Sequence, residues 1–283
     1  MKKSSVLGRS SHALLGCAAV CFLINIPLLV CRSADEPEQT NRSLSIDSKL
    51  RREILKDLPV IQSFKKNPSS RFIVDLDVVS RGHPYMGRRA ERPHAGGHVY
   101  FNSQNEKQTT DVNQYPPIYA VADGVITRID YSFELRSMFE RALGRQVANR
   151  RYGIGLTFAT EQERGVTFHY SIEPFVRPKE PKFYDQFILV KPGQKVRKGQ
   201  IIARMYLPQN QELARKSHIH FNLIREGGGG FVSPSIFSAA TVRAFHERWH
   251  LFPSNPDAPI PPCMGYKLAP DENPFERTAI DSL

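Results

Sequence analysis

Apolar and polar positions alternate over short stretches along much of this chain, and glycine or proline repeatedly interrupts the alternation. Arg71 to Val79 (RFIVDLDVV) is rich in β-branched residues and partly alternating, which predicts a strand. Pro117 to Tyr131 predicts two short strands around Asp123-Gly124, a pair suited to the positive φ of a tight hairpin. Ile154 to Ala159 and Gly165 to Ile172 read as paired strands, and His218 to Ile224 as another. Gly193 and Gly199 fall in turns on either side of Val196, with a strand following to Ala203. Val99 to Pro116 reads as a strand end and a polar excursion, and Gly227 to Gly230 as loop. Three segments carry the helical period instead. Asp47 to Leu58 places Leu50, Ile54, Leu55 and Leu58 on one side, with Asp47 as N-cap and Pro59 as the stop. Ser132 to Leu143 predicts a helix ended by Gly144, and Ser238 to His250 a last one. The pattern as a whole is mainly β: an antiparallel β-sandwich or barrel-like sheet with a few peripheral helices.

The N-terminus departs from this pattern. Lys2, Lys3 and Arg9 precede a largely apolar run of 19 residues, Ala13 to Cys31, as in an export signal or membrane anchor. Cys31-Arg32-Ser33 is a small-x-small cleavage site before Ala34. The expected organisation is a signal peptide or anchor over 1–34 and a polar linker with a short helix over 35–70. A β domain over 71–252 and a Pro-rich tail over 253–283 complete it. Ala34 to Ser43 is the part of this region that reads as linker proper. The product is expected outside the cytoplasm, whether periplasmic, secreted or held to the membrane through residues 13–31. Three of the four cysteines lie in the apolar run, so Cys263 alone has no partner for an intramolecular disulfide.

At 283 residues and 40% hydrophobic the chain can bury a sizeable core. Lys and Arg outnumber Asp and Glu by 39 to 28, and without the four basic residues of 1–34 the net charge falls from +11 to +7. Such a surface attracts polyanions, including acidic wall polymers. No Lys/Arg run with interleaved aromatics is present, which argues against nucleic acid as a partner.

Candidate chemistry centres on Ser217-His218-Ile219-His220-Phe221. In a strand His218 and His220 point the same way, about 7 Å apart. Imidazole is the commonest zinc ligand, and two of them leave the ion incompletely coordinated, so a further ligand is expected elsewhere. Pro93-His94-Ala95-Gly96-Gly97-His98 offers two more histidines on one face of an extended segment, with Asp111 as an alternative to His98. Asp123 reads as a turn residue, His12 belongs to the N-terminal run, and His83, His246 and His250 read as surface or helix-end groups.

Four segments in this order resemble the lysostaphin-type zinc endopeptidases that cut cell-wall peptides. They are His94 to His98, Pro117 to Val125, Val190 to Ile201, and His218-Ile219-His220, spanning roughly residues 90 to 225. The resemblance implies a β-sheet groove, a Zn2+ ion held by His94, His98 and His220, and peptidoglycan peptides as substrate. His98 stands where the family has aspartate, and zinc accepts three imidazoles with a fourth position for water. His218, beside ligand His220, is then the candidate general base or electrostatic support for that water. The family's second histidine sits in a Y-x-H-L segment; here Phe168-His169-Tyr170-Ser171-Ile172 puts Ile172 in its place and His169 out of step. A regular strand would turn His169 away, and a one-residue bulge would be needed to bring it back as the second catalytic residue. Two other classes compete. A catalytically inactive domain of the same fold would bind wall peptides or regulate a separate hydrolase, and a basic surface module would bind polyanions without metal. A biotinyl or lipoyl carrier would need a lysine at the Asp123-Gly124 tip, which is absent.

Overall fold

The computed structural model describes residues 41–83, 96–102, 111–135, 138–140, 145–147, 149–226, 230–232 and 236–248. The apolar run 13–31, His94 and the Pro-rich tail therefore lie outside the described residues. In chain order the elements are β1 (Arg42–Ser45), α1 (Ser48–Asp57), α2 (Ser63–Lys66), β2 (Val79–His83), β3 (Gly97–Phe101), β4 (Pro117–Tyr119) and β5 (Gly124–Glu134). Then come β6 (Met138–Glu140), β7 (Arg145–Val147), β8 (Arg150–Glu161), β9 (Arg164–Val176), β10 (Lys195–Val196) and β11 (Ile201–Arg204). The last are α3 (Gln211–Lys216), β12 (His218–Arg225), β13 (Gly230–Val232) and α4 (Ala239–His246).

An open antiparallel sheet in the order β1-β5-β8-β9-β12-β3-β2 dominates, with β10 added to β5 and β13 to β12. Alternation along its central strands produces two unlike faces. Tyr152, Ile154, Leu156 and Phe158 of β8, Phe168, Tyr170 and Ile172 of β9, and Ile219 and Phe221 of β12 are almost wholly buried on one face. A small second sheet, β4 paired with β11, shares that core through Ile118, Ile202 and Ala203. Two tyrosines of the large sheet connect the layers. Tyr170 OH donates to Tyr119 O and accepts from Val121 N, and Tyr152 OH donates to Arg204 O and accepts from Tyr206 N. Phe168 has no solvent exposure, and truncating it to alanine would cost about 3–5 kcal/mol.

Several expectations hold. Asp47 caps α1, its carboxylate accepting from Lys49 N and Leu50 N. β8 and β9 pair as expected, and Gly193 and Gly199 both adopt φ +84, the left-handed conformation their turns require. Other expectations are corrected. Arg42 and Ser43, expected as linker, belong to β1 and pair with β5. Arg71–Val79 is not a strand: Phe72, Ile73 and Val74 are buried in succession, a 3-10 turn covers Leu76–Val78, and β2 starts only at Val79. Three consecutive buried side chains suit an irregular segment in the core, not an alternating strand.

Pro117–Tyr131 does contain two strands, but they pair with β11 and β8 instead of with each other. Gly124 is needed for close approach, not for positive φ: a Cβ there would lie 2.5 Å from Thr157 O. The helix expected from Ser132 is replaced by the end of β5 and by β6, paired with β7. There the wholly buried Arg150 donates to Ser132 Oγ (2.6 Å) and Arg151 lies over the Phe133 ring, so cross-strand contacts override helical periodicity. Gly230, expected as loop, begins β13.

Candidate metal and catalytic site

The face of the large sheet opposite the core is polar, and strand register decides what meets on it. β12 lies between β3 and β9. His220 stands opposite His98 on one side and Ser171 on the other, and His218 stands opposite Tyr100 and Glu173. Asn222 stands opposite His169. His98, His218, His220 and His169 therefore share one face. The register of β9 against β12 runs unbroken from Val166 to Glu173, so His169 reaches this face without a bulge. Ile172, the residue in the second histidine's place by the motif, pairs with Ile219 on the core side.

The closest contact in the group joins His98 Nε2 and His220 Nδ1 at 3.1 Å. Asn222 Nδ2 lies 3.1 Å from the other nitrogen of His220. Gly96 makes room for that ring, since a Cβ at this position would sit 2.1 Å from His220 Nε2. His98 and His218 are buried, and His220 is half-buried.

His218 is enclosed. Its ring centroid is 4.7 Å from that of His98, 4.8 Å from Tyr100 and 5.2 Å from Phe175. Nδ1 is 2.9 Å from Lys216 O, and Nε2 is 3.3 Å from Glu173 Oε2. A carbonyl and a carboxylate are both acceptors, so each ring nitrogen of His218 faces one. Burial acts to raise the Glu173 pKa, but the hydrogen bond and charge of His218, helped by His220 and Ser171, hold it at about 2. Ser171 Oγ donates to Glu173 Oε1 at 2.7 Å, fixing the carboxylate from the other side.

A distortion in β9 builds this enclosure. Arg150 and Tyr152 of β8 pair with Val176 and Ile172, so the segment Glu173 to Phe175 bulges. Phe175 has φ 58, an uncommon conformation for an aromatic residue, and its ring packs on His218. Ser217 Oγ donates to Pro174 O, tying the bulge to the start of β12.

His169 differs from His218. Its Nδ1 is sealed from solvent with no hydrogen-bond partner among the described residues, although the residue as a whole is half-buried. Burial, reinforced by the positive charge of Arg151, lowers its pKa to about 4, so it is neutral at pH 7 with a lone pair to offer.

As a test of fit to zinc, two donors on a tetrahedral ion with bonds of about 2.0–2.1 Å lie about 3.3 Å apart. His98 Nε2 and His220 Nδ1 come close to that separation. Among the described residues no three His, Cys, Asp or Glu side chains form a group able to hold a metal, and His94, the expected third ligand, lies outside them. Asp111, the alternative to His98, is exposed and caps the turn Val112–Gln114 through Asn113 N. Asp123 accepts from Lys198 N, a turn contact.

Glu173, Ser171 and Asn222 were not singled out from sequence. The signal for Ser171 and Glu173 was present: Phe168-His169-Tyr170-Ser171-Ile172-Glu173 alternates apolar and polar without a break, and Asn222 continues the alternation of His218 and His220.

No family model and no curated protein matches the chain. Among solved structures it is similar to a mutant catalytic domain of the prophage-encoded M23 protein EnpA from Enterococcus faecalis. That match has 16% identity and a TM-score of 0.32, covering 59% of this chain and 94% of that one. It is also similar to cbpa from L. salivarius REN, at 18% identity and a TM-score of 0.23 over 46% of this chain and 67% of that one. A third, the solution structure of lysostaphin, has 16% identity and a TM-score of 0.30, over 71% of this chain and 62% of lysostaphin. Likenesses at these scores leave the function to be argued from the chain's own residues.

Proposed function

We propose that this chain is an exported, zinc-dependent endopeptidase acting on the peptides of the cell wall. The observation that carries the reading is the 3.1 Å approach of His98 Nε2 to His220 Nδ1 on a polar sheet face, between segments whose order resembles that of lysostaphin-type enzymes. His94, His98 and His220 would hold the ion. Reversing the Asn222 amide would let its oxygen accept from His220 Nε2, the outer contact that orients a ligating imidazole. Bound zinc would polarise the scissile carbonyl and lower the pKa of a water. His169, neutral at pH 7, would accept a proton from the attacking water. His218, with both nitrogens engaged, suits electrostatic support of the developing oxyanion better than the role of base.

That engagement also favours a second reading, a domain of the same architecture that binds wall peptides without cutting them. The two are separated by measuring zinc in the purified full-length chain and in His220→Ala, and peptide release from cell wall with and without chelator. One equivalent of zinc in the wild type, lost in the variant, with chelator-sensitive release, is the expected result. Zinc without release would support the binding domain, and no zinc in the wild type would overturn both the ligand assignment and the enzyme.

A further inference from the structure

On the same polar face, across β9 and β8 from the histidines, two guanidinium groups share a single carboxylate. Arg128 Nε donates to Asp130 Oδ1 at 2.7 Å, and Arg151 Nη1 donates to Asp130 Oδ2 at 3.1 Å. Asp130 is 2% exposed and both its oxygens are taken, which leaves the trio with one net positive charge. Among the described residues neither terminal nitrogen of Arg128 has a hydrogen-bond partner, and its side chain is 48% exposed. Glu173, a carboxylate on the same face, is committed to His218 and Ser171. The floor in between is low. Gly153 and Gly155 stand opposite Ser171 and His169, and a Cβ on Gly153 would come within 3.0 Å of Arg151 Nη1. Arg151 can lie over β8 only because that position has no side chain.

We propose that Arg128 and Arg151 form the anionic subsite of the peptide groove, binding a substrate carboxylate three or four residues from the bond held at the histidines. The spacing follows from the sheet. Gly153 on β8 and Arg128 on β5 are two and three strands from His220, or about 10 and 14 Å at roughly 4.8 Å per strand. An extended peptide crossing the strands covers this distance in three to four residues at about 3.5 Å each. The guanidinium fork accepts a carboxylate through paired N–H groups, and Asp130 holds it in position without neutralising both cations.

The inference rests on the peptidase reading for the identity of the groove, so its test is independent of turnover. A fluorescently labelled penta-alanine with a free C-terminal carboxylate, and its C-terminal amide, would be titrated into the full-length chain in chelator. The expected result is at least ten-fold tighter binding of the carboxylate form by the wild type. Arg128→Gln should reduce this preference to within two-fold while the unfolding temperature stays unchanged, and Arg128→Lys should recover part of it. Equal binding of both peptides by the wild type, or a preference that survives Arg128→Gln, would overturn the subsite. A carboxylate preference in a chain that takes up no zinc would keep the subsite and remove the peptidase, and zinc-dependent release without the preference would do the reverse.

Discussion

Gly96 and Gly97 are adjacent, yet their α-hydrogens face opposite layers of the protein, and exchanging each for alanine separates site from fold. At Gly96 the new Cβ would lie 2.1 Å from Nε2, 2.6 Å from Cε1 and 2.7 Å from Cδ2 of His220, where ordinary contact starts at 3.4 Å. The imidazole must therefore retreat from β3 by more than about 1 Å. Gly96 directly precedes β3, which carries His98, so a retreat away from both opens the 3.1 Å approach between His98 Nε2 and His220 Nδ1 to over 4 Å. Two zinc–nitrogen bonds of about 2.05 Å span at most about 4.1 Å even in a straight line, and about 3.3 Å at a tetrahedral angle. Gly96→Ala should thus remove one ligand and weaken zinc binding at least 100-fold, beyond the roughly 10–100-fold typical of outer contacts.

At Gly97 the Cβ would instead meet Phe221 Cζ at 2.4 Å, inside the core. Overpacking there should cost about 1–3 kcal/mol, with the histidines undisturbed. The assay pairs zinc titration against a chromogenic chelator with urea unfolding. Gly96→Ala should lose zinc affinity with little change in the urea midpoint, and Gly97→Ala should lower the midpoint and keep the affinity. Zinc binding by Gly96→Ala within two-fold of a zinc-binding wild type would refute the steric argument.

His169 predicts a pH dependence of stability. Its folded pKa of about 4 lies below the ordinary 6.5, so between these values the unfolded chain binds the extra proton and folding weakens as pH falls. The loss should be complete by about pH 4, amount to no more than about 3 kcal/mol, and be absent from His169→Gln in urea unfolding across pH 4–7. Thr157 has no exposure and bridges Thr127 Oγ1 and Thr167 Oγ1 at 2.7 Å each. Thr157→Val keeps the shape but leaves two buried hydroxyls short of a partner, and should cost about 1–3 kcal/mol by the shift in urea midpoint. Gly199 has φ +84 and nothing within 4 Å of a Cβ, so Gly199→Ala should cost about 1–2 kcal/mol through backbone strain alone. A neutral result in thermal unfolding would refute the strain argument.

The strands that carry the site were legible from alternation because they are central and have unlike faces. His218-Ile219-His220-Phe221 and Phe168-His169-Tyr170-Ser171 each place every second side chain in the core, and the large apolar residues identify that side. What alternation does not contain is neighbourhood. Asp123-Gly124 looks like a hairpin turn locally, but β4 and β5 find their partners further along the chain, Tyr119 opposite Ile201 in β11 and Asp130 opposite Gly153 in β8. Ser132–Leu143 has a helical period, yet the buried guanidinium of Arg150 needs the Ser132 hydroxyl, a requirement invisible until β5 and β8 are side by side. The position of His169 was obscured for the opposite reason. Matching it to a motif placed it out of step, whereas its own alternation with Ser171 and Glu173 already put it on the histidine face.

This distinction bears on how the site could work. Its side chains project from the interior strands β3, β8, β9 and β12, whose other faces are in the core, with β8 and β9 pinned to the second sheet by Tyr152 and Tyr170. Side chains on such strands cannot change face without a register slip that would also expose Phe168, Tyr170 and Phe221. Site geometry and fold stability are therefore one constraint on these strands. The bulge from Glu173 to Phe175 is where the two separate, because there β9 leaves regular pairing with β8 and, just past the Glu173–His218 pair, turns an aromatic ring onto His218. The left-handed backbone of Phe175 accompanies its ring contact with His218 and the hydrogen bond from Ser217 to Pro174 O.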